Sequence, residues 1–85
     1  QNNFTGIYPN PTNGQLNVDI QSTALTNTVV RTFDMLGKVV YSENTTLVKG
    51  MNTLRLDFSH LAKGTYVLQF VDVEGKSHTA KFVKD

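Results

Sequence analysis

Cysteine is absent from the 85 residues, which excludes disulfide bonds, thiolate nucleophiles and cysteine-ligated metals together. A chain of this size buries only about 60–65% of its extended surface, so it must stand on side-chain packing alone. Tryptophan is absent as well, and sugar-binding platforms usually expose aromatic rings of that kind. The eight Lys and Arg residues are dispersed among seven acids for a net charge of +1. No clustered basic stripe exists, and nucleic-acid binding requires one. No apolar run approaches the ~20 residues of a membrane-spanning helix, and no basic, then apolar leader opens the chain. Because the first residue is Gln1 rather than Met, the chain is expected to be a piece cut from a longer precursor. Helix-length periodicity is missing too.

Present instead are short segments rich in Val, Ile, Leu, Thr, Phe and Tyr, separated by Gly14, Gly37, Gly50, Gly64 and Gly75. β-type segments at this spacing predict a sandwich or small barrel. Side chains in a strand alternate between faces. Leu16, Val18 and Ile20 therefore share one face against Gln15, Asn17 and Asp19, and Leu54, Leu56 and Phe58 stand against Arg55 and Asp57. These two strands have one wet face, as antiparallel strands commonly do. Three other segments are apolar on both sides. Val30 and Thr32 oppose Val29, Arg31 and Phe33; Val39 and Tyr41 oppose Val40; Tyr66, Leu68 and Phe70 oppose Val67, Val71 and Val73. Such strands are expected to sit centrally or to have one face covered by a partner.

Turn chemistry places the connections. "DMLGK" and "DVEGK" each offer an Asp to start a turn and a Gly for positive φ, predicting two hairpins. In "SHLAKG", Ser59 is expected to cap a single helical turn that Gly64 ends, with Leu61 closing the core. "IYPNPTNG" places two prolines before the first clear strand. Pro9 and Pro11 fix their own φ, Asn13 and Gly14 are expected to take positive φ, and Ile7 and Tyr8 to pack on the sandwich.

No constellation supports catalysis. Asp57, Ser59 and His60 are the residue types of a hydrolase triad, but near-adjacent side chains cannot align a hydroxyl and an imidazole beside a separate oxyanion site. The acids are spread singly, without a calcium-loop run. His60 and His78 lie in unrelated contexts, so no metal or other cofactor is expected. "NFT" at Asn3 and "NTT" at Asn44 match the N-glycosylation acceptor pattern, which arises by chance in Asn- and Thr-rich sequence.

Four motifs in register give the chain a family resemblance: "IYPNPTNGQLNVDI", "VVRTFDMLGKVVY", "LRLDFSHLAKGTYVLQF" and the tail "GKSHTAKFVKD". Together they resemble the type A C-terminal sorting domain of the type IX (Por) secretion system, found on cargo of Bacteroidota-type bacteria. The family's P-N-P-x-x-G motif falls on Pro9, Asn10, Pro11 and Gly14. Its G-K turn falls on Gly37 and Lys38, and its L-x-x-G-x-Y element on Leu61, Gly64 and Tyr66. Thr32 departs from the aliphatic residue usual in the family.

The resemblance implies an all-β, immunoglobulin-like antiparallel sandwich of about seven strands. Residues 1–85 would form a single sorting domain, with 1–8 as linker and lead-in strand. It further implies passage through the periplasm, recognition by the outer-membrane translocon and its shuttle protein, and removal by a sortase-like cysteine transpeptidase. The cargo would then reside at the outer membrane or cell surface, or be secreted. The basic, apolar terminal strand similar to the family's sorting element falls on Lys81, Phe82, Val83 and Lys84; these and Asp85 are expected to carry translocon recognition, as a β-strand could be offered to a receptor strand. A structural, adhesive or carbohydrate-binding module of an extracellular protein is the alternative, and weak dimerisation is compatible with either reading.

Overall fold

The computed structural model describes residues 3–85, and among them every regular element is a β-strand. The strands are β1 (Asn3–Tyr8), β2 (Gln15–Ser22), β3 (Thr26–Phe33), β4 (Val39–Leu47), β5 (Gly50–Asp57), β6 (Gly64–Val71) and β7 (Ser77–Lys84). They form two antiparallel sheets, β1-β2-β5 and β4-β3-β6-β7, packed as a sandwich. The expected immunoglobulin-like architecture is therefore the observed one. A hallmark of that architecture, a tyrosine hydroxyl tied back to backbone at the corner before the sixth strand, is present where Tyr66 donates to the Ala62 carbonyl at 2.6 Å. Gln1 and Asn2, part of the expected linker, lie outside the described residues.

The core follows the alternation. Leu16, Val18 and Ile20 of β2 meet Val30 of β3 and Leu68 and Phe70 of β6, all fully buried. β3 and β6 occupy the centre of the four-stranded sheet, which explains why they are apolar on both sides. Their second faces, at Val29, Phe33, Val67 and Val71, remain half-buried on the outside of the sandwich. Val73 lies beyond β6, exposed in the following turn.

The two D-x-x-G-K hairpins fold identically. Asp34 Oδ1 accepts from Leu36 N and Lys38 N, and Asp72 Oδ1 accepts from Glu74 N and Lys76 N, each at 2.9 Å. Gly37 and Gly75 both have φ of +84°, a conformation that costs a β-carbon-bearing residue about 1–2 kcal/mol. The turn after Asp72 has an additional anchor: His78 Nε2 lies 2.7 Å from Asp72 Oδ2, and the His78 ring stacks on Phe70 at 5.0 Å.

Five local expectations are corrected. The segment after Phe58 is a single turn closed by Leu61 N donating to Phe58 O at 3.0 Å, and Gly64 starts β6 rather than ending a helix. The Asp57 carboxylate, not the Ser59 hydroxyl, caps this turn by accepting from Ser59 N at 3.0 Å. In β4 the pairing slips between Thr32 and Phe33, whose partners are Tyr41 and Val39, so Val40 is an extra residue. Such a bulge breaks strict alternation, and both Val40 and Tyr41 consequently pack against the core. Finally, neither Asn13 nor Gly14 has positive φ. Gly14 is required for another reason, because a Cβ there would lie 3.2 Å from Ser59 Cβ and 3.3 Å from Ser59 Cα. Ile7 packs on the core as expected, whereas Tyr8 is exposed and its hydroxyl donates to Asp19 at 3.3 Å.

Candidate functional site

The strand registers bring the sequence motifs to one end of the sandwich. Tyr8 pairs with Asn17, and Gln15 with Asp57. In the other sheet Phe33 pairs with Val39 and with Val67, and Gly64 with Lys84. The proline segment, the first D-x-x-G-K turn, the Phe58–Gly64 corner and the end of β7 therefore share an end, although they are scattered along the chain. The second D-x-x-G-K turn lies at the opposite end, between Val71 and Ser77.

An aromatic stack fills the core beneath this end. Tyr41 meets Phe58 edge-on at 5.0 Å, Phe58 stacks on Phe82 at 5.3 Å, and Tyr66 stacks on Phe82 at 5.7 Å. Contacts of these kinds contribute roughly 0.5–1.5 kcal/mol each beyond the area they bury. Tyr41 also donates to the Glu43 carboxylate. Burial and then this hydrogen bond push its phenol up to about 12, so it stays protonated. Asp57 is held below its ordinary range, chiefly by the N–H of Ser59.

The proline segment proves to be a strap that moves the chain from one sheet to the other. β1 belongs to the three-stranded sheet; after the cis peptide bonds at Tyr8–Pro9 and Asn10–Pro11, the chain crosses to the outer edge of β7 in the other. Asn10 accepts from Val83 N at 3.0 Å and donates to Lys81 O at 3.4 Å. Thr12 then donates its N–H to Val83 O at 2.9 Å and accepts from Asp85 N at 2.8 Å, forming a parallel bridge opposite Lys84. The Thr12 hydroxyl accepts from Gly14 N and donates to Gln15 O, pinning the turn into β2. An edge strand left with free N–H and C=O groups is a template for unwanted pairing. The strap blunts that edge over Lys81–Asp85.

The five residues expected to carry recognition, Lys81 to Asp85, separate by face. Phe82 is fully buried in the aromatic stack. Lys84 is only 8% exposed, its stem lying inward and its Nζ 3.1 Å from the Asp85 backbone oxygen. Lys81, Val83 and Asp85 point outward. Among the motif positions, Pro9, Asn10, Pro11, Gly37, Lys38 and Gly64 are exposed, while Gly14 and Tyr66 are buried and Leu61 packs partly against the core. Thr12 was not singled out by sequence reasoning, yet it is fully buried and ties both chain segments. Its signal was readable in part: a threonine two residues before a glycine can accept that glycine's N–H in a side-chain turn.

Asp57 and Ser59 are joined through backbone, with His60 exposed beside them. Among the described residues no group of three His, Cys, Asp or Glu side chains could hold a metal, and no helix is long and apolar enough to cross a membrane.

Comparison with known families gives a match over nearly the whole chain. The family described as "Secretion system C-terminal sorting domain" matches residues 6–85, from within β1 to the last residue of the chain. Comparison with curated proteins gives no match.

Proposed function

Since the chain belongs to the family of type IX secretion C-terminal sorting domains, a cargo signal that engages the secretion machinery and directs export toward the outer membrane or cell surface, we propose that the motif-bearing end of the sandwich is what the outer-membrane translocon and its shuttle protein read. The observation that carries this reading is convergence. The proline segment, the Gly37–Lys38 turn, the Phe58–Gly64 corner and the end of β7 meet at one end, where Asn10 and Thr12 hold the last strand by four hydrogen bonds. A strand so fixed is presented in one orientation, which reduces the entropy a receptor must remove on binding.

On this reading residues 1–85 are a single address domain, with 1–8 as linker and lead-in strand. The cargo reaches the translocon through the periplasm of a Bacteroidota-type cell. A sortase-like cysteine transpeptidase then removes the domain on the cargo side of the sandwich. Lys81, Val83 and Asp85 supply outward contacts, while Phe82 and Lys84 act by fixing the strand.

Deleting residues 81–85 would remove Phe82 from the core and confound recognition with folding. The discriminating variant is Lys81→Glu, Val83→Glu and Asp85→Lys combined, fused to a leader-bearing fluorescent carrier in a type IX-competent host. The expected result is a carrier retained in the periplasm while the variant domain keeps its Tm. Export equal to that of the unaltered domain would contradict the proposal.

A further inference from the structure

The two outer faces of the sandwich differ in chemistry. On the three-stranded sheet the outward side chains include Asn17, Asp19, Thr53, Arg55 and Asp57. Asp19 there accepts from the hydroxyls of Tyr8 and Thr53, and Asp19 and Asp57 share the face with Arg55, so it is mainly polar, with Met51 exposed at one end, and carries acids as well as a cation. On the four-stranded sheet the registers set Val39, Phe33, Val67 and Lys81 side by side in one row across all four strands. The next row is Ser42, Arg31, Gln69 and Thr79. Val83 lies at the rim opposite Thr65. No acid occurs at any of these positions, and neither Arg31 nor Lys81 forms an ion pair among the described residues.

Resting on the sorting reading above, we infer that the outer face of β4-β3-β6-β7 is the docking surface, and that its occupant is a protein patch with an apolar centre and carboxylates set against Arg31 and Lys81. Three observations select that occupant. Two cations without an ion pair, in rows that carry no acid and with Asp85 only at the rim, are complementary to an acidic partner and steer its approach. A second copy of this chain is disfavoured, because the same rows of its own face carry no carboxylate to meet Arg31 and Lys81. A lipid surface is disfavoured because Phe33 and Val67 are half-buried in a pleated face rather than projecting from it. The broad faces of a body measuring 35 × 22 × 17 Å suit the roughly 800 Å² per partner of a standard interface. The face is also continuous with Lys81 and Val83 of the last strand, so one partner can cover both.

The test uses the whole domain fused to a leader-bearing fluorescent carrier in a type IX-competent host. Val39→Glu with Arg31→Glu should reduce surface arrival at least tenfold at unchanged Tm. Arg31→Lys should restore most of it when Val39 is left intact, and Arg55→Glu on the opposite face should export normally. Normal export of the Val39/Arg31 variant overturns the docking face and leaves the sorting reading standing. Failure of the unaltered domain to export the carrier overturns the sorting reading itself, and the docking face with it. Two further outcomes overturn the chosen occupant: dimerisation of the isolated domain in sedimentation that Val39→Glu abolishes, or binding to vesicles containing anionic phospholipid that the same change abolishes.

Discussion

At the scale of single residues, Thr32 and Gly14 test whether the contacts in the core are the ones that matter. Thr32 is fully buried on the inner face of β3, and its hydroxyl has no hydrogen-bond partner among the described residues. Threonine suits a strand but leaves a buried polar atom that costs about 1–3 kcal/mol when unpaired. Thr32→Val preserves the shape and removes that atom. We expect stabilisation of about 1 kcal/mol, read as a rise of roughly 4–8 °C in Tm for a domain of this size; a fall would show that the hydroxyl has a partner. At Gly14 the strain lies in contact rather than backbone. Gly14→Val places a side chain against Ser59, 3.2 Å from its Cβ, and overpacking of that kind destabilises by about 1–3 kcal/mol. Equilibrium denaturation checks it, and an unchanged midpoint would contradict the close approach.

At the scale of elements, the strap and the hairpin turns are each held by identifiable polar groups. Asn10→Ala removes both side-chain bonds to the β7 edge and is expected to destabilise by about 1 kcal/mol. Its specific signature is faster hydrogen exchange at Val83 N, with the amides of β2 unaffected. The turn after Val71 predicts a pH dependence. Asp72 is held below its ordinary value of 3.8, first by the hydrogen bond from His78 and then by the turn N–H groups. The ionised form is favoured in the folded state, so its stabilisation is complete above the ordinary carboxylate range and is lost as pH falls below it. The Tm difference between the unaltered domain and Asp72→Asn should be largest above about pH 5 and shrink below about pH 4; a pH-independent difference would remove the carboxylate from the explanation. Much of this scale was legible beforehand. Clean alternation marked β2 and β5, and Asp34, Gly37, Asp72 and Gly75 marked both hairpins. The bulge at Val40 was not legible, because an extra residue changes the face without changing composition. Nor was the strap. The proline bend was visible as a bend, but its partner on β7 is 73 residues away from Asn10, and no local pattern encodes such a pairing.

At the scale of the whole molecule, the fold gathers motifs that are scattered along the chain. Seven antiparallel strands bring the proline segment, the Gly37–Lys38 turn, the Leu61–Tyr66 corner and the last strand to a single end. The four-stranded sheet that carries β7 also carries the more apolar outer face. Sequence resemblance indicated the family and the candidate residues, and alternation could not say that Phe82 and Lys84 point inward while Lys81 and Val83 point outward until the register of β7 on β6 was known. The central claim is that the folded domain is itself a sufficient export address. It is tested most directly by the ratio of external to periplasmic fluorescence of a leader-bearing carrier fused to this domain, measured in a type IX-competent host and in the same host without the translocon. The account predicts external carrier in the first and periplasmic carrier in the second. Equal distribution in the two hosts would contradict it.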